Sequence, residues 1–89
     1  MPVKEFNLLV STPRGMEHDA CSELWFLLGE VGDENAEVET TPVKGLIWAK
    51  TSLDPFEAIK RLKQLLSERP EEFRVVRRII PIEKVVRTD

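Results

Sequence analysis

The chain has 89 residues, 42% of them hydrophobic and 33% charged, with four Gly, six Pro, one Cys and one His. That length holds one domain, and that apolar fraction offsets the entropy of ordering, which excludes a disordered or low-complexity chain. No apolar run approaches the roughly 20 residues that span a bilayer. The opening Met1–Gly15 has no apolar core of the length a secretory signal needs, so a cytoplasmic domain with no membrane partner is expected.

The lone Cys21 excludes an intrachain disulfide, and with only His18 beside it a Cys/His zinc site of about four ligands is excluded as well. The net charge of −3 is unevenly spread: residues 1–50 carry −5, residues 51–89 carry +2, and within 73–87 five basic residues accompany one acid. A basic segment on an acidic chain points to a polyanionic partner. An ion-paired, solvated strand is the other reading of the same residues.

The predicted elements run as follows. Residues 5–11 (EFNLLVS) read as a strand closed by the turn Thr12-Pro13-Arg14-Gly15. A helix is predicted over 15–30, where Met16, Ala20, Leu24, Leu27 and Leu28 form an apolar stripe. Glu17 and Asp19 in its first turn suit the positive end of the dipole, and Gly29 and Gly32 supply stop signals. After a polar loop, Ala36–Thr40 alternates like a half-buried strand with an acidic wet face. A turn over 41–45 then leads to Leu46–Lys50, whose nearly continuous apolar run suggests a central strand and a hairpin with the one before.

The second helix has the clearest start. Asp54 reads as the N-cap, Pro55 as the first helical residue, and Glu57 stands three after the cap. Phe56, Ile59, Leu62, Leu65 and Leu66 make its stripe, and Pro70 ends it. Residues 73–86 (FRVVRRIIPIEKVV) are β-branched and predict a last strand. Pro81, which cannot donate to a ladder, marks an edge, a bulge or the strand's end. Strand–helix–strand–strand–helix–strand with right-handed crossovers gives an α+β, ferredoxin-like βαββαβ fold. It has a four-stranded antiparallel sheet with two helices on one face.

No residue set has the form of a catalytic site, and no enzyme activity or cofactor is expected. His18 reads as a solvated imidazole, Cys21 as a semi-buried small apolar residue, and Glu37 and Glu39 as a solvated strand face. Gly-rich phosphate loops and nucleophile elbows are lacking. The rings Trp25, Phe26 and Trp48 lack the paired aromatic signature of single-strand RNA readers, so core packing and a domain–domain contact are expected of them. In a strand, Arg77 points opposite Arg78 while Arg74 and Arg78 share a face. The expected positive surface is therefore diffuse, suited to a phosphate backbone rather than base edges.

Several segments in order resemble proteins that contain a THUMP domain. They are Phe6–Glu17 (FNLLVSTPRGME), Glu23-Leu24 with Leu27-Leu28, Pro42–Trp48 (PVKGLIW), Asp54-Pro55-Phe56 with Ile59–Leu66, and Phe73–Glu83. The chain is most similar to the archaeal and eukaryotic adaptor branch for tRNA cytidine acetylation. The resemblance implies an N-terminal ferredoxin-like domain that, with the THUMP domain proper, holds the tRNA acceptor end and presents the target base to a tRNA-modifying enzyme. It implies that residues 82–89 link to a THUMP core beyond this sequence, Thr88-Asp89 reading as a helix cap. The chain is then a fragment or a stand-alone N-terminal domain. Charge and resemblance together name Arg74, Arg77, Arg78, Lys84 and Arg87 as RNA phosphate contacts, with Lys60, Arg61 and Lys63 adding charge from the second helix. The rival expectation is an interaction domain that forms a homodimer through a sheet edge or an apolar strand face, without RNA.

Overall fold

The structure, a computed structural model, describes residues 6–82. The two strands richest in apolar residues, β1 (Leu8–Ser11) and β3 (Leu46–Lys50), pair antiparallel with Leu8 opposite Ala49 and Val10 opposite Ile47. All four side chains are fully buried. The alternate residues Leu9, Ser11, Leu46 and Trp48 are only half-buried. This follows from the period of two along a strand: one face meets the helices and the other stays open.

β2 (Glu37–Thr40) adds to β3, and β4 (Arg78–Pro81) adds to β1, giving the order β2-β3-β1-β4 with every pair antiparallel. With α1 (Glu17–Glu30) between β1 and β2 and α2 (Pro55–Glu68) between β3 and β4, this is the ferredoxin-like α+β fold. The core combines Leu8, Val10, Ile47 and Ala49 with Ala20, Leu24, Leu27 and Leu28 of α1 and Ala58, Ile59, Leu62 and Leu65 of α2. Each large side chain so buried contributes roughly 1.5–3 kcal/mol.

Both helices end where the sequence provides partners for their loose amides and carbonyls. Asp54 caps α2, its Oδ1 accepting from the N–H groups of Phe56 at 2.9 Å and Glu57 at 3.2 Å. Met16, the N-cap of α1, offers no side-chain cap. Instead Glu17 turns back to accept from Gly15 N–H at 3.0 Å and reaches the β2–β3 turn to accept from Gly45 N–H at 2.7 Å. The Gly45 N–H is the largest of the influences that lower the Glu17 pKa. Gly45 sits at φ +85°, and a Cβ there would stand 3.3 Å from the carbonyl oxygen of Thr12, so the turn is closed to other residues. Gly29 lies within α1, and the stop falls at Gly32, φ +104°. Gly32 N–H donates to Gly29 O at 3.1 Å and Asp33 N–H to Leu28 O at 2.9 Å, the paired bonds of a left-handed helix end.

The last strand is shorter than the β-branched run predicts. Of residues 73–82 only Arg78–Pro81 is strand; a 3-10 turn, Pro70–Glu72, follows α2, and 73–77 is irregular. Residues 83–86 of the expected strand, and the 83–89 part of the expected linker, lie outside the described residues. Pro81 does close β4, on an edge strand that can do without its N–H. Just beyond it, Ile82 N–H donates to Asn7 O at 2.8 Å.

The loop after α1 is fastened by a carboxylate that the sequence reading passed over. Asp33 is 2% exposed and accepts from both hydroxyls of Thr51 and Ser52, from Ser52 N–H at 2.9 Å and from Asn35 N–H at 3.1 Å. Burial pushes its pKa up, but the hydrogen bonds outweigh it and hold the carboxyl below its ordinary 3.8. A lowered native pKa stabilises the fold above the unfolded value, and that stability drains away as pH falls through the native one. Asp33→Ala is expected to cost about 2–3 kcal/mol in urea unfolding at neutral pH. The gap from the parent protein should narrow as the pH is taken below 3.8.

Candidate functional site

Three of the predicted arginines converge because 73–77 is not a strand. In a continuous strand Arg77 and Arg78 would face opposite ways. Here the segment is gripped from α1: the Glu23 carboxylate accepts from Arg74 N–H at 3.0 Å, Val75 N–H at 3.0 Å and Val76 N–H at 2.8 Å. Three consecutive amides turned onto one anion curl the backbone, so strand alternation does not govern Arg74 and Arg77. Val76, 7% exposed, packs into the core beneath them.

The result is a groove of about 420 Å³ between α2 and the 73–79 segment. Ile59, Leu62, Leu66, Phe73, Val76 and Ile79 line it together with Lys63, Arg74, Arg77 and Arg78. The four basic residues are all exposed. A shallower hollow alongside, lined by Phe56, Ile59, Lys60, Lys63, Ile79 and Pro81, brings in Lys60. Five of the eight predicted contacts thus line one continuous stretch of surface.

Of the remaining three, Lys84 and Arg87 lie outside the described residues. Arg61 lies apart from the groove and is engaged: it pairs with Glu57 at 3.2 Å and donates to the Val31 carbonyl at the end of α1 at 2.9 Å. It works as a tie between the helices. Arg69 pairs with Glu30 at 3.0 Å in the same way. Among the described residues no ion pair engages Lys60, Lys63, Arg74, Arg77 or Arg78. Their charge faces solvent, where an arriving anion meets no ion-paired competitor among the described residues.

The other singled-out residues are placed as follows. His18 is exposed. Cys21 is partly buried, and burial, then the negative charges of Glu17 and Glu39, push its thiol pKa up, away from the thiolate. Glu37 and Glu39 stand exposed on the edge strand β2. Trp48 stacks on Phe6 with ring centroids 4.6 Å apart on the open face of the sheet. Trp25 and Phe26, of which core packing and a domain–domain contact were expected, are 61% and 45% exposed and so lie outside the core.

The residue that organises the groove, Glu23, was not among those singled out. Its signal was present: Ala20, Glu23 and Leu27 follow the three-and-four spacing of the apolar stripe of α1. A carboxylate on such a stripe must find donors on whatever it packs against. No protein-family profile matches this sequence, and no curated protein or solved structure matches it either.

Glu23→Ala leaves three donors without their acceptor, those of Val75 and Val76 part-buried. The expected outcome is an unfolding free energy lower by about 1–3 kcal/mol, with the amides of residues 74–76 exchanging with deuterium at least tenfold faster. Unaltered exchange at those amides would refute the restraint.

Proposed function

We propose that this chain is a non-catalytic RNA-binding module that assists tRNA recognition in a tRNA-modification system, of the type in which an adaptor serves cytidine acetylation. The observation that carries the reading is the gathering of Lys63, Arg74, Arg77 and Arg78 about one groove, with none of them ion-paired among the described residues. The order of sequence segments that resembles THUMP-containing proteins is the second support, and it is the only one that points to tRNA in particular.

The chemistry follows from the groups present. Guanidinium forks bind phosphate oxygens bidentately and need no base edge to do so. Such contacts position a nucleic acid without reading its sequence, which suits recognition of a folded RNA by shape. The module would thus hold RNA while a tRNA-modifying enzyme performs the reaction in the cytoplasm.

A second reading has its own observation. On the open sheet face Leu9 lies between Trp48 and Ile80 in one cross-strand row, and Ile80 is 45% exposed. An apolar row on an uncovered sheet suits a homodimer that binds no RNA.

A tRNA titration at several salt concentrations separates the two. Replacing Arg77 and Arg78 together by Ala is expected to weaken tRNA binding at least tenfold and to make the plot of log K against log salt shallower by about 1–2. Unchanged affinity and slope would overturn the proposal. A salt-insensitive dimer in light scattering, with no tRNA retained, would establish the homodimer instead.

A further inference from the structure

A phosphate backbone accounts for the cations of the groove between α2 and the 73–79 segment, but not for its apolar lining. Ile59, Leu62, Leu66, Phe73, Val76 and Ile79 supply that lining, and Leu66 is left 43% exposed. A charged phosphate gains nothing from apolar surface and loses hydration against it. A ligand that uses the whole groove therefore carries an apolar part beside its anionic one. At about 420 Å³ the groove has the size of sites that enclose a small organic group, with room for a planar ring system and its sugar.

The anionic part is defined by the two walls. Lys63 stands on α2, with Lys60 in the adjoining hollow, and Arg74, Arg77 and Arg78 stand on the facing segment. No ion pair engages any of the five among the described residues. The acids nearby are differently placed. Glu23 is held by the amides of residues 74–76, Glu57 pairs with Arg61, and Glu68 accepts from Gln64 at 3.5 Å. Glu71 and Glu72 belong to the 3-10 turn, and none of these acids lines the groove. Every charged residue that does line it is a cation, and both walls carry them.

A nucleotide inside an RNA chain meets both demands. Its base has faces that stack on aromatic rings and guanidinium planes without any edge being read. A phosphate flanks it on each side, one for each cationic wall. A nucleotide at a chain end has a phosphate on one side only and would leave one wall unanswered. A paired base has its faces covered by the stack, whereas an unpaired one pays little to leave it.

We propose that the groove receives the base of a bulged, unpaired nucleotide of a folded RNA, with Leu66 and Phe73 against the base and the flanking phosphates on Lys63 and on Arg74, Arg77 and Arg78. The proposal rests on the nucleic-acid reading of this groove and adds the class of RNA it selects, a stem interrupted by an extruded nucleotide over a continuous duplex.

The test titrates the full chain with dye-labelled RNA hairpins of one stem sequence: fully paired, interrupted by an unpaired adenosine, and fully paired with a single-stranded 3′ overhang. In fluorescence anisotropy the bulged hairpin is expected to bind at least tenfold tighter than the paired one. Leu66→Ser should remove that preference and leave the affinity for the paired hairpin unchanged, with circular dichroism unaltered because the side chain is exposed. With 2-aminopurine as the bulged base, fluorescence should rise on binding as the base leaves its neighbours. Equal affinity for bulged and paired hairpins, both weakened when Arg77 and Arg78 become Ala, would remove the base site and leave the nucleic-acid reading standing. No binding of any hairpin would overturn both. Tighter binding of the overhang than of the bulge would assign the groove to a strand end and refute the proposal. So would tighter binding of a helical peptide built from Leu, Ala and Glu than of any hairpin, since that assigns the groove to a protein.

Discussion

Three backbone amides converge on the carboxylate of Glu23, and the character of the β4 side of the molecule depends on that contact. Val75 and Val76 are strand-forming residues, and in another setting they would extend β4 backward along β1. A carboxylate accepting from three successive N–H groups competes with the sheet, because hydrogen bonds to an ionised acceptor are stronger than neutral ladder bonds. The segment therefore leaves the sheet at Arg77, whose N–H donates to Ser11 O, and curls over the end of α1's apolar stripe. Arg74 and Arg77 are carried to the rim of the groove beside Arg78 and Lys63. A single acid on one helix thus gathers cations that are three and four residues apart.

The same device recurs along α1 and its exit. Glu17 holds the β2–β3 turn through Gly45, Glu23 holds the approach to β4, and Asp33 holds the loop into α2 through Thr51 and Ser52. Each carboxylate meets donors that a neighbouring loop would otherwise leave unsatisfied. In a small domain with no disulfide these contacts fix the loops that the core does not reach. They also account for part of the acidity of the first half of the chain. The sheet order then separates two surfaces: exposed rings near the β2 edge, and along the β4 edge basic residues that no ion pair engages among the described residues.

Features set by neighbours in sequence were legible. Asp54-Pro55-Phe56-Glu57 announces the start of α2 in four residues, and the structure places the cap there. Leu46–Lys50 has the apolar run of a central strand and is one. The order of elements followed from these and from the right-handed crossover, and with it the fold. Features set by distant residues were not legible. Glu23 and its donors are more than 50 residues apart, so the propensity of 73–77 pointed to strand and the arginines were assigned to alternating faces. Trp25 and Phe26 illustrate another limit. At about 100° per residue Phe26 falls on the far side of the helix from Leu28, so the arc already filled by Ala20, Leu24, Leu27 and Leu28 has no room for it. Of the two roles expected of these rings, core packing and a domain–domain contact, helix angle rules out the first for Phe26.

The pairing of Ile82 with Asn7 puts the two flanks of the described chain side by side at one end of the β1–β4 ladder. Tension applied through both flanks would therefore load that ladder at its end, parting its bonds one after another like a zip. Such a unit yields to pulling at low force even when its equilibrium stability is ample. The same adjacency means that a short loop joining the two flanks, with a new break opened in an exposed turn, would give a circularly permuted chain with the sheet order intact.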